Sequence, residues 1–600
     1  MRVEAENLVE LWETSRARYA DRPALGTKRS GEWVWTTYQA LGREIDRVRG
    51  GLAGLGVGKG DVVAIVSGNR VEWAAACYAT YGLEAAFVPL YEQQRPEEWR
   101  FILGDCEAKV VIVGSSSAFE RISAMQSELP ALRHVVGIEL PPADPRSFDA
   151  LARAGEEVPS PPARPDPDAT AGLIYTSGTT GNPKGVILSH RNFASNVSAM
   201  SEAFPLEPDD RTLSFLPWAH AFGQVAELHY GLSQGASLAL NDELPHLLDN
   251  LLEVRPTVLV AVPRIFQRIH GLVQERIAAR PAFVQRLFAG GIRSAAKRER
   301  GETLRWTERA ELRIDDLLIF RNVRKRFGGR LRFVISASAA LSPDVAHLVD
   351  AVGLPVYEGY GLTETSPAVT VNTPGHRKIG SVGRVLPGVR IEIDESKGEQ
   401  PGHGEVIVYG PNVMKGYHER PEENAAVFTP DGGLRTGDLG WVDEEGFLYI
   451  SGRVKELFKL ENGKYVSPAP LEEALKLSPY VANVVLYGAN RPFVTAIVAP
   501  DAEAIRRWAE SENVELGPLD QDPRVRELIT QEIARRSETF PSYEVPRKVL
   551  IAPADFTLED DLITPTLKVK RRKVEARFAK ALDALYREAP PERARPQPRA

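Results

Sequence analysis

Cysteine is almost absent from this chain: only Cys77 and Cys106 occur among 600 residues. Two thiols cannot build a disulfide framework or a cysteine metal site, and they fit a reducing compartment. Also missing is any run of about 18 apolar residues, the length a helix needs to cross a bilayer. The opening Met1-Arg2-Val3-Glu4-Ala5-Glu6 lacks the apolar core of a secretory signal. The expectation is a cytosolic protein. Charge of one sign is lacking too: 74 Lys+Arg against 81 Asp+Glu give a net charge of -7, which makes no global electrostatic case for nucleic acid. No internal repeat is visible.

What is present describes an ordinary globular enzyme, 43% apolar and 26% charged. At 600 residues it exceeds the size of a single growing core, so two or more domains are expected. Val62 to Ser67, Val110 to Val113 and Leu331 to Ser336 read as short buried strands, and Val71 to Tyr81 and Pro96 to Leu103 as helices. Strands alternating with helices imply parallel sheets covered by helices. Val158 to Pro167 is too proline-rich for either element and reads as an extended connector. From Gly380 to Tyr449 short β-like segments alternate with Gly, Pro and Asp, which predicts a small β subdomain. After Gly452-Arg453 mixed helix and strand resume, with strands at Val481 to Tyr487 and Val494 to Ala499. The tail from Pro590 has the composition of a disordered segment. Between Arg293 and Arg332 basic residues outnumber acidic ones, interleaved with Trp306 and Phe320. Such a segment either forms a solvated helical face or docks peripherally on anionic lipid.

The richest local signal is Tyr175-Thr176-Ser177-Gly178-Thr179-Thr180-Gly181-Asn182-Pro183-Lys184-Gly185. Glycines let backbone approach an anion, the hydroxyls of Thr176, Ser177, Thr179 and Thr180 donate to it, and Lys184 adds positive charge. Apolar runs on both sides place this loop between two strands. A Walker A loop would need Gly-Lys-Ser/Thr opening a helix, whereas Lys184 stands between Pro183 and Gly185. A second cluster, Tyr357-Glu358-Gly359-Tyr360-Gly361-Leu362-Thr363-Glu364-Thr365-Ser366-Pro367, joins an aromatic face, a hydroxyl donor and a hard carboxylate oxygen suited to Mg²⁺. Further on come Arg435-Thr436-Gly437-Asp438, then Gly452-Arg453-Val454-Lys455, and finally Thr564-Pro565-Thr566-Leu567-Lys568-Val569-Lys570. Alone, each of these reads as a turn or a solvated charged face.

Together they resemble the adenylate-forming superfamily, which includes acyl-CoA synthetases, luciferases and the adenylation domains of peptide synthetases. The resemblance runs from about residue 5 to about residue 585. It implies an α/β fold: a large N-terminal domain (1–454) of two α/β subdomains plus a small β subdomain, a smaller mobile α+β C-terminal domain (455–589), and a tail (590–600). It further implies ATP held by Thr176 to Gly181 with Lys184, adenine by Tyr360, Gly361 and the Ser336 to Ala340 segment, and the ribose by Asp438 with Arg453. Mg²⁺ would be held by Thr176 and Glu364, with Thr363 at the α-phosphate. His220, in Phe215-Leu216-Pro217-Trp218-Ala219-His220-Ala221-Phe222, would line the carboxylate site. Lys568, with Lys570 as the alternative, would enter for adenylation, and Lys455 would be the hinge. Gly463 and Lys464 would lie near CoA after the hinge turns.

Val262-Pro263-Arg264-Ile265-Phe266, the long basic segment ending at Phe333, and Phe458 to Val466 resemble the long-chain fatty acyl-CoA synthetase branch. The implied substrates are a fatty acid, ATP and CoA. Gly223 stands where many long-chain relatives carry an acidic residue, and Ser336-Ala337-Ser338-Ala339-Ala340 departs from the commoner Ser-Gly-Gly-Ala-Pro form. Other readings are an acyl-AMP ligase loading a carrier protein, a catalytically silent acyl or nucleotide sensor, and luciferase-like oxygenation. The sequence sets neither chain length nor oligomeric state.

Overall fold

The computed structural model describes residues 4–176, 182–278, 280–299, 302–398, 400–564 and 567–587. A seven-stranded sheet contains, in spatial order, Gly416–Tyr417, Lys184–Ser189, Thr170–Thr176, Ala86–Leu90, Val62–Val66, Val110–Val113 and His134–Gly137. Its central and far strands are parallel, as continuous apolar runs such as Val110-Val111-Ile112-Val113 require when both faces are covered. The near edge departs from the all-parallel expectation. Lys184–Ser189 turns back antiparallel against Thr170–Thr176, with Thr176 opposite Lys184. A tight connection between neighbouring strands permits only that direction, because a parallel return needs a crossover of about a dozen residues.

Two further sheets complete the large α/β unit. One contains Glu32–Thr37, Pro23–Arg29, Ser237–Leu240 and Arg211–Ser214; the other contains Val258–Ala261, Phe333–Ser336, Val356–Gly361, Ala368–Val371 and Arg384–Val385. Helices Val71–Tyr81 and Pro96–Asp105 form where the apolar spacing predicts them. Trp73 of the first packs edge-on against Phe87 and Trp218, with ring centroids 5.0 and 5.4 Å away, and so anchors the Pro217-Trp218 segment to the core.

The stretch punctuated by Gly, Pro and Asp forms the expected β subdomain, a four-stranded antiparallel sheet of Arg390–Asp394, Gly404–Tyr409, Leu434–Val442 and Leu448–Arg453. A turn at Val454 to Glu456 then leads to the hairpin Phe458–Lys459 and Tyr465–Val466. Beyond it lies a smaller α+β domain, with the sheet Val481–Tyr487, Thr495–Pro500 and Lys548–Ile551 and, among the described residues, four helices, the last being Arg571–Arg587. Leu477 of this domain is buried within an apolar cluster of the large domain that includes Leu341 and Val345, so the two domains are in contact.

The connector around Val158 to Pro167 carries no regular element after helix Phe148–Glu157. The tail from Pro590 lies outside the described residues. The basic segment folds as Ala282–Glu299, Trp306–Asp315 and Arg321–Arg326, and its two aromatics part company: Trp306 is 80% exposed, whereas Phe320 is core. Among the described residues no helix is long and apolar enough to cross a membrane.

Candidate active site

A cleft of about 2720 Å³ opens between the large domain, the β subdomain and the C-terminal domain. Its walls carry Thr176, Lys184, His220, Tyr360, Gly361, Thr363, Glu364, Asp438, Arg453, Lys455 and Lys568. Residues scattered along most of the chain thus converge on one space. Ser177, Gly178, Thr179, Thr180 and Gly181 lie outside the described residues, but both ends of their loop are fixed by the Thr176 and Lys184 pairing. Lys184 Nζ lies 3.2 Å from Glu423 Oε1 and over the Tyr417 ring, 5.6 Å from its centroid. Tyr417 reaches this place because Gly416–Tyr417 adds a strand to the edge of Lys184–Ser189. Its hydroxyl donates to Glu364 Oε1 at 2.8 Å, orienting that carboxylate.

The second motif runs along strand Val356–Gly361 and turns sharply at Thr363–Thr365. Gly361 is required by close approach: a Cβ there would sit 1.7 Å from the Pro367 carbonyl oxygen. Asn412 Nδ2 donates to the Thr365 carbonyl at 3.0 Å, and Asn196 Nδ2 to the Ala368 carbonyl at 2.7 Å, locking the turn that presents Thr363 and Glu364. Glu358 accepts the Leu341 N–H at 3.0 Å, and burial pushes its carboxyl up to about 7. Ala337 to Leu341 line the cleft. Ser336 is buried beneath them, its hydroxyl without a partner among the described residues.

Asp438 and Arg453 face each other across adjacent strands. Arg453 Nε donates to Asp438 Oδ1 at 2.6 Å, and the Tyr360 hydroxyl donates to Asp438 Oδ2 at 2.7 Å. Lys568 lies opposite Thr564 where the chain of the C-terminal domain pairs back on itself. There the Thr564 N–H donates to the Lys568 carbonyl at 2.8 Å and the Lys570 N–H to the Leu562 carbonyl at 2.8 Å. Lys568 lines the cleft and remains solvent-exposed there. Burial and the Arg453 charge lower its pKa from the usual lysine value, against the pull of Asp438, Glu364 and Glu456. Lys570 is engaged elsewhere, its Nζ 2.5 Å from Asp561 Oδ1.

His220 accepts the Phe222 N–H on Nδ1 at 3.2 Å, which leaves Nε2 to carry the ring proton. Burial, with the nearby Lys568 charge, pushes its pKa down to about 3, so the imidazole is neutral at ordinary pH. After it the chain enters a π-helical turn, Gly223–His229, a rare form that recurs at functional sites. A Cβ on Gly223 would sit 2.5 Å from the Pro217 carbonyl oxygen, so this backbone admits no side chain at that position without shifting. Met200, Phe204, Phe222, Ala226, Val262 and Ile292 extend the cleft as an apolar arm. Gly463 and Lys464 lie on the hairpin that follows Lys455 and are absent from the cleft walls; Lys464 Nζ instead lies over the Tyr543 ring, 4.4 Å from its centroid.

Sequence reasoning missed Tyr417, Glu423, Glu358 and Asn412. Glu358 stood within the second motif without a role; the other three are single residues on a two-residue edge strand, a short helix and a turn, and only the folded chain brings them to the site.

A lysine at the end of a Gly/Thr-rich loop, an Asp–Arg pair across adjacent strands and a lysine delivered by the C-terminal domain share one cleft, an arrangement in keeping with the class of adenylate-forming enzymes. Residues 12–418 match the AMP-binding enzyme family and residues 455–590 its C-terminal domain, and the chain belongs to that family. Similar proteins include the long-chain-fatty-acid–CoA ligase FadD15 of Mycobacterium tuberculosis, 33% identical over 583 residues and covering 93% of each chain. Another is the peroxisomal long chain acyl-CoA synthetase 7 of Arabidopsis thaliana, 32% identical over 617 residues, 97% of this chain and 86% of that one. The crystal structure of the adenylation domain of a carboxylate reductase from Mycobacterium chelonae shares the fold, with TM-score 0.81 at 24% identity over 97% of this chain and 91% of that one.

Proposed function

We propose that this chain is a long-chain fatty acid–CoA ligase that forms an acyl adenylate from a fatty acid and ATP and then transfers the acyl group to CoA. The observation that carries the reading is Lys568, brought by the C-terminal domain into a cleft where Glu364, Asp438, Arg453 and His220 lie within electrostatic reach of it. Two anions, a carboxylate and a triphosphate, must meet there, and fixed cations in a walled cleft offset their repulsion. The carboxylate oxygen attacks the α-phosphorus and the bond to the β-phosphate oxygen breaks, giving acyl-AMP and pyrophosphate. CoA sulfur then attacks the acyl carbon, the thiol proton is lost, and AMP leaves.

In this arrangement Asp438 receives the ribose hydroxyls, Tyr360 flanks the adenine, and Lys184 exchanges Glu423 for phosphate oxygens. His220, protonated on Nε2, donates to the fatty acid carboxylate and orients it. The donors offered to Mg²⁺, the Glu364 carboxylate and the Thr176 hydroxyl, are hard oxygens of the kind that ion takes beside nucleotide phosphates. Bound there, Mg²⁺ would neutralise phosphate charge. Lys568 serves only adenylation, so the C-terminal domain turns about Lys455 before the thiol attacks, bringing Gly463 and Lys464 to the CoA path. The apolar arm takes the acyl chain.

The deciding assay measures AMP and pyrophosphate release from Mg-ATP with carboxylic acids of rising chain length, with and without CoA. CoA-dependent turnover that peaks at long chains is expected. Acyl adenylate that CoA cannot discharge would mean carrier loading, and absence of turnover with every acid would mean a silent sensor.

Peripheral membrane contact fits the helical hairpin beside that arm. Arg305, Arg309 and Arg313 are exposed on one face with Trp306 beside them, and Phe283 is 67% exposed. Cosedimentation with anionic vesicles should fall for Trp306→Ala and at high salt, and equal binding to neutral vesicles would refute the contact.

A further inference from the structure

The hairpin that delivers Lys568 is joined to the large domain by a closed ring of four alternating charges. Arg95 lies 3.4 Å from Glu98, Glu98 3.8 Å from Lys570, Lys570 2.5 Å from Asp561, and Asp561 3.6 Å from Arg95. Two edges of the ring lie within a domain and two cross between domains. Arg95 and Glu98 occupy the N-terminus of helix Pro96–Asp105 in the large domain, while Asp561 and Lys570 flank the hairpin that carries Lys568. Lys573 also reaches Asp561, at 2.5 Å.

The same helix is fixed at its other end to the phosphate loop. Asp105, its last residue, accepts the Tyr175 hydroxyl at 2.7 Å and pairs with Arg420 at 2.9 Å. Tyr175 belongs to the strand that ends at Thr176, where the loop begins. The helix therefore spans the site as a rigid strut, with the phosphate loop at one end and the lysine hairpin at the other.

We propose that Arg95, Glu98, Asp561 and Lys570 are positioning residues that hold the C-terminal domain in the adenylating pose, and that this ring must open before acyl transfer to CoA. This assignment rests on the role of Lys568 in adenylation. It gives Lys570 a function distinct from that of Lys568: Lys570 registers the hairpin, and Lys568 meets the substrates. The geometry suits a reversible clasp. All four side chains are partly exposed, and ion pairs in such settings contribute little singly and more as a network. A clasp of this kind favours one pose without trapping it.

The test separates the two half-reactions. Glu98→Lys sets a cation against Lys570 and should lower acyl adenylate formation by about tenfold, since a shift of 1.4 kcal/mol in pose equilibrium is tenfold. Thioester formation from supplied acyl adenylate and CoA should stay equal or rise. High salt should reduce adenylation by the native chain more than by the variant, because exposed charges are screened. Independently, Arg95→Cys with Asp561→Cys, joined by a cleavable bifunctional maleimide, should retain formation of acyl adenylate and lose thioester formation until the linker is cut. Native Cys77 and Cys106 are buried and do not compete for the reagent. Equal loss of both half-reactions in Glu98→Lys, no loss in either, or unimpaired thioester formation in the linked protein would each overturn the proposal. If the native chain formed no acyl adenylate from any acid, the functional reading itself would fall first.

Discussion

Arg453 donates to one oxygen of Asp438 at 2.6 Å while Tyr360 donates to the other at 2.7 Å, so the carboxylate is oriented from both sides before nucleotide arrives. Strand pairing creates this arrangement, because Asp438 and Arg453 are register partners across the edge of the β subdomain. Asp438→Asn should raise KM for ATP by about tenfold or more, the scale of one lost charge-assisted hydrogen bond. Initial rates at saturating fatty acid would measure it. An unchanged KM would remove Asp438 from the nucleotide site.

His220 is held neutral by burial, at a pKa near 3, with Nδ1 satisfied by the Phe222 N–H. Acyl adenylate formation should therefore show no loss attributable to this imidazole between pH 7 and pH 5, although a free histidine would titrate there. His220→Ala should raise KM for the fatty acid by about tenfold, the scale of a hydrogen bond to a charged group. A native acid limb near pH 6.5 that vanished in His220→Ala would contradict the neutral assignment.

Much of this site was legible in the sequence because its chemistry is local. The ends of the Thr176 to Lys184 loop, the Tyr360 to Glu364 turn and the Asp438 to Arg453 pair are contiguous runs or strand partners, and they were picked out through the resemblance of their motifs to the adenylate-forming superfamily. The antiparallel return at Lys184 was not anticipated, since alternation of strands and helices implied parallel pairing until the shortness of the connection decided otherwise. Tyr417 and Glu423 escaped because a two-residue edge strand and a short helix carry no periodic signal, yet together they hold Glu364 and Lys184. The motif favoured Lys568, with Lys570 as the alternative. Only the fold shows that Asp561 and Glu98 engage Lys570.

Glu227 is the buried acid of the π-helical turn, and burial pushes its carboxyl up to about 8. It accepts the Ser214 hydroxyl, which also accepts Trp218 Nε1–H at 3.1 Å, so it supports the segment leading to His220. The folded state holds a proton here that the unfolded chain releases near the ordinary carboxyl value. Its stabilising contribution is fully present below that value and is lost as pH rises through about 8. Glu227→Gln keeps the shape without the titration, so its melting temperature should rise relative to the native chain between pH 5.5 and pH 8.5. Taking the difference between the two proteins cancels the other groups that titrate in this range. A difference independent of pH would show that Glu227 is not a raised, buried acid.

The proposed role of Lys568 combines a required charge with a lowered pKa. Burial and Arg453 depress it below the usual lysine value. Adenylation needs the ammonium form, so the free-enzyme rate, read as kcat/KM for ATP, should begin to fall at lower pH than for an ordinary lysine. Lys568→Arg keeps the charge at all accessible pH and should lose this alkaline limb at some cost in rate. Lys568→Ala should reduce acyl adenylate formation by about a hundred- to a thousandfold, the range for removing one preorganised charge donor. Thioester formation from supplied acyl adenylate should remain largely intact, because in the proposed cycle the hairpin withdraws before the thiol attacks. Equal loss of both half-reactions would refute the role, and a loss confined to thioester formation would assign adenylation to another lysine.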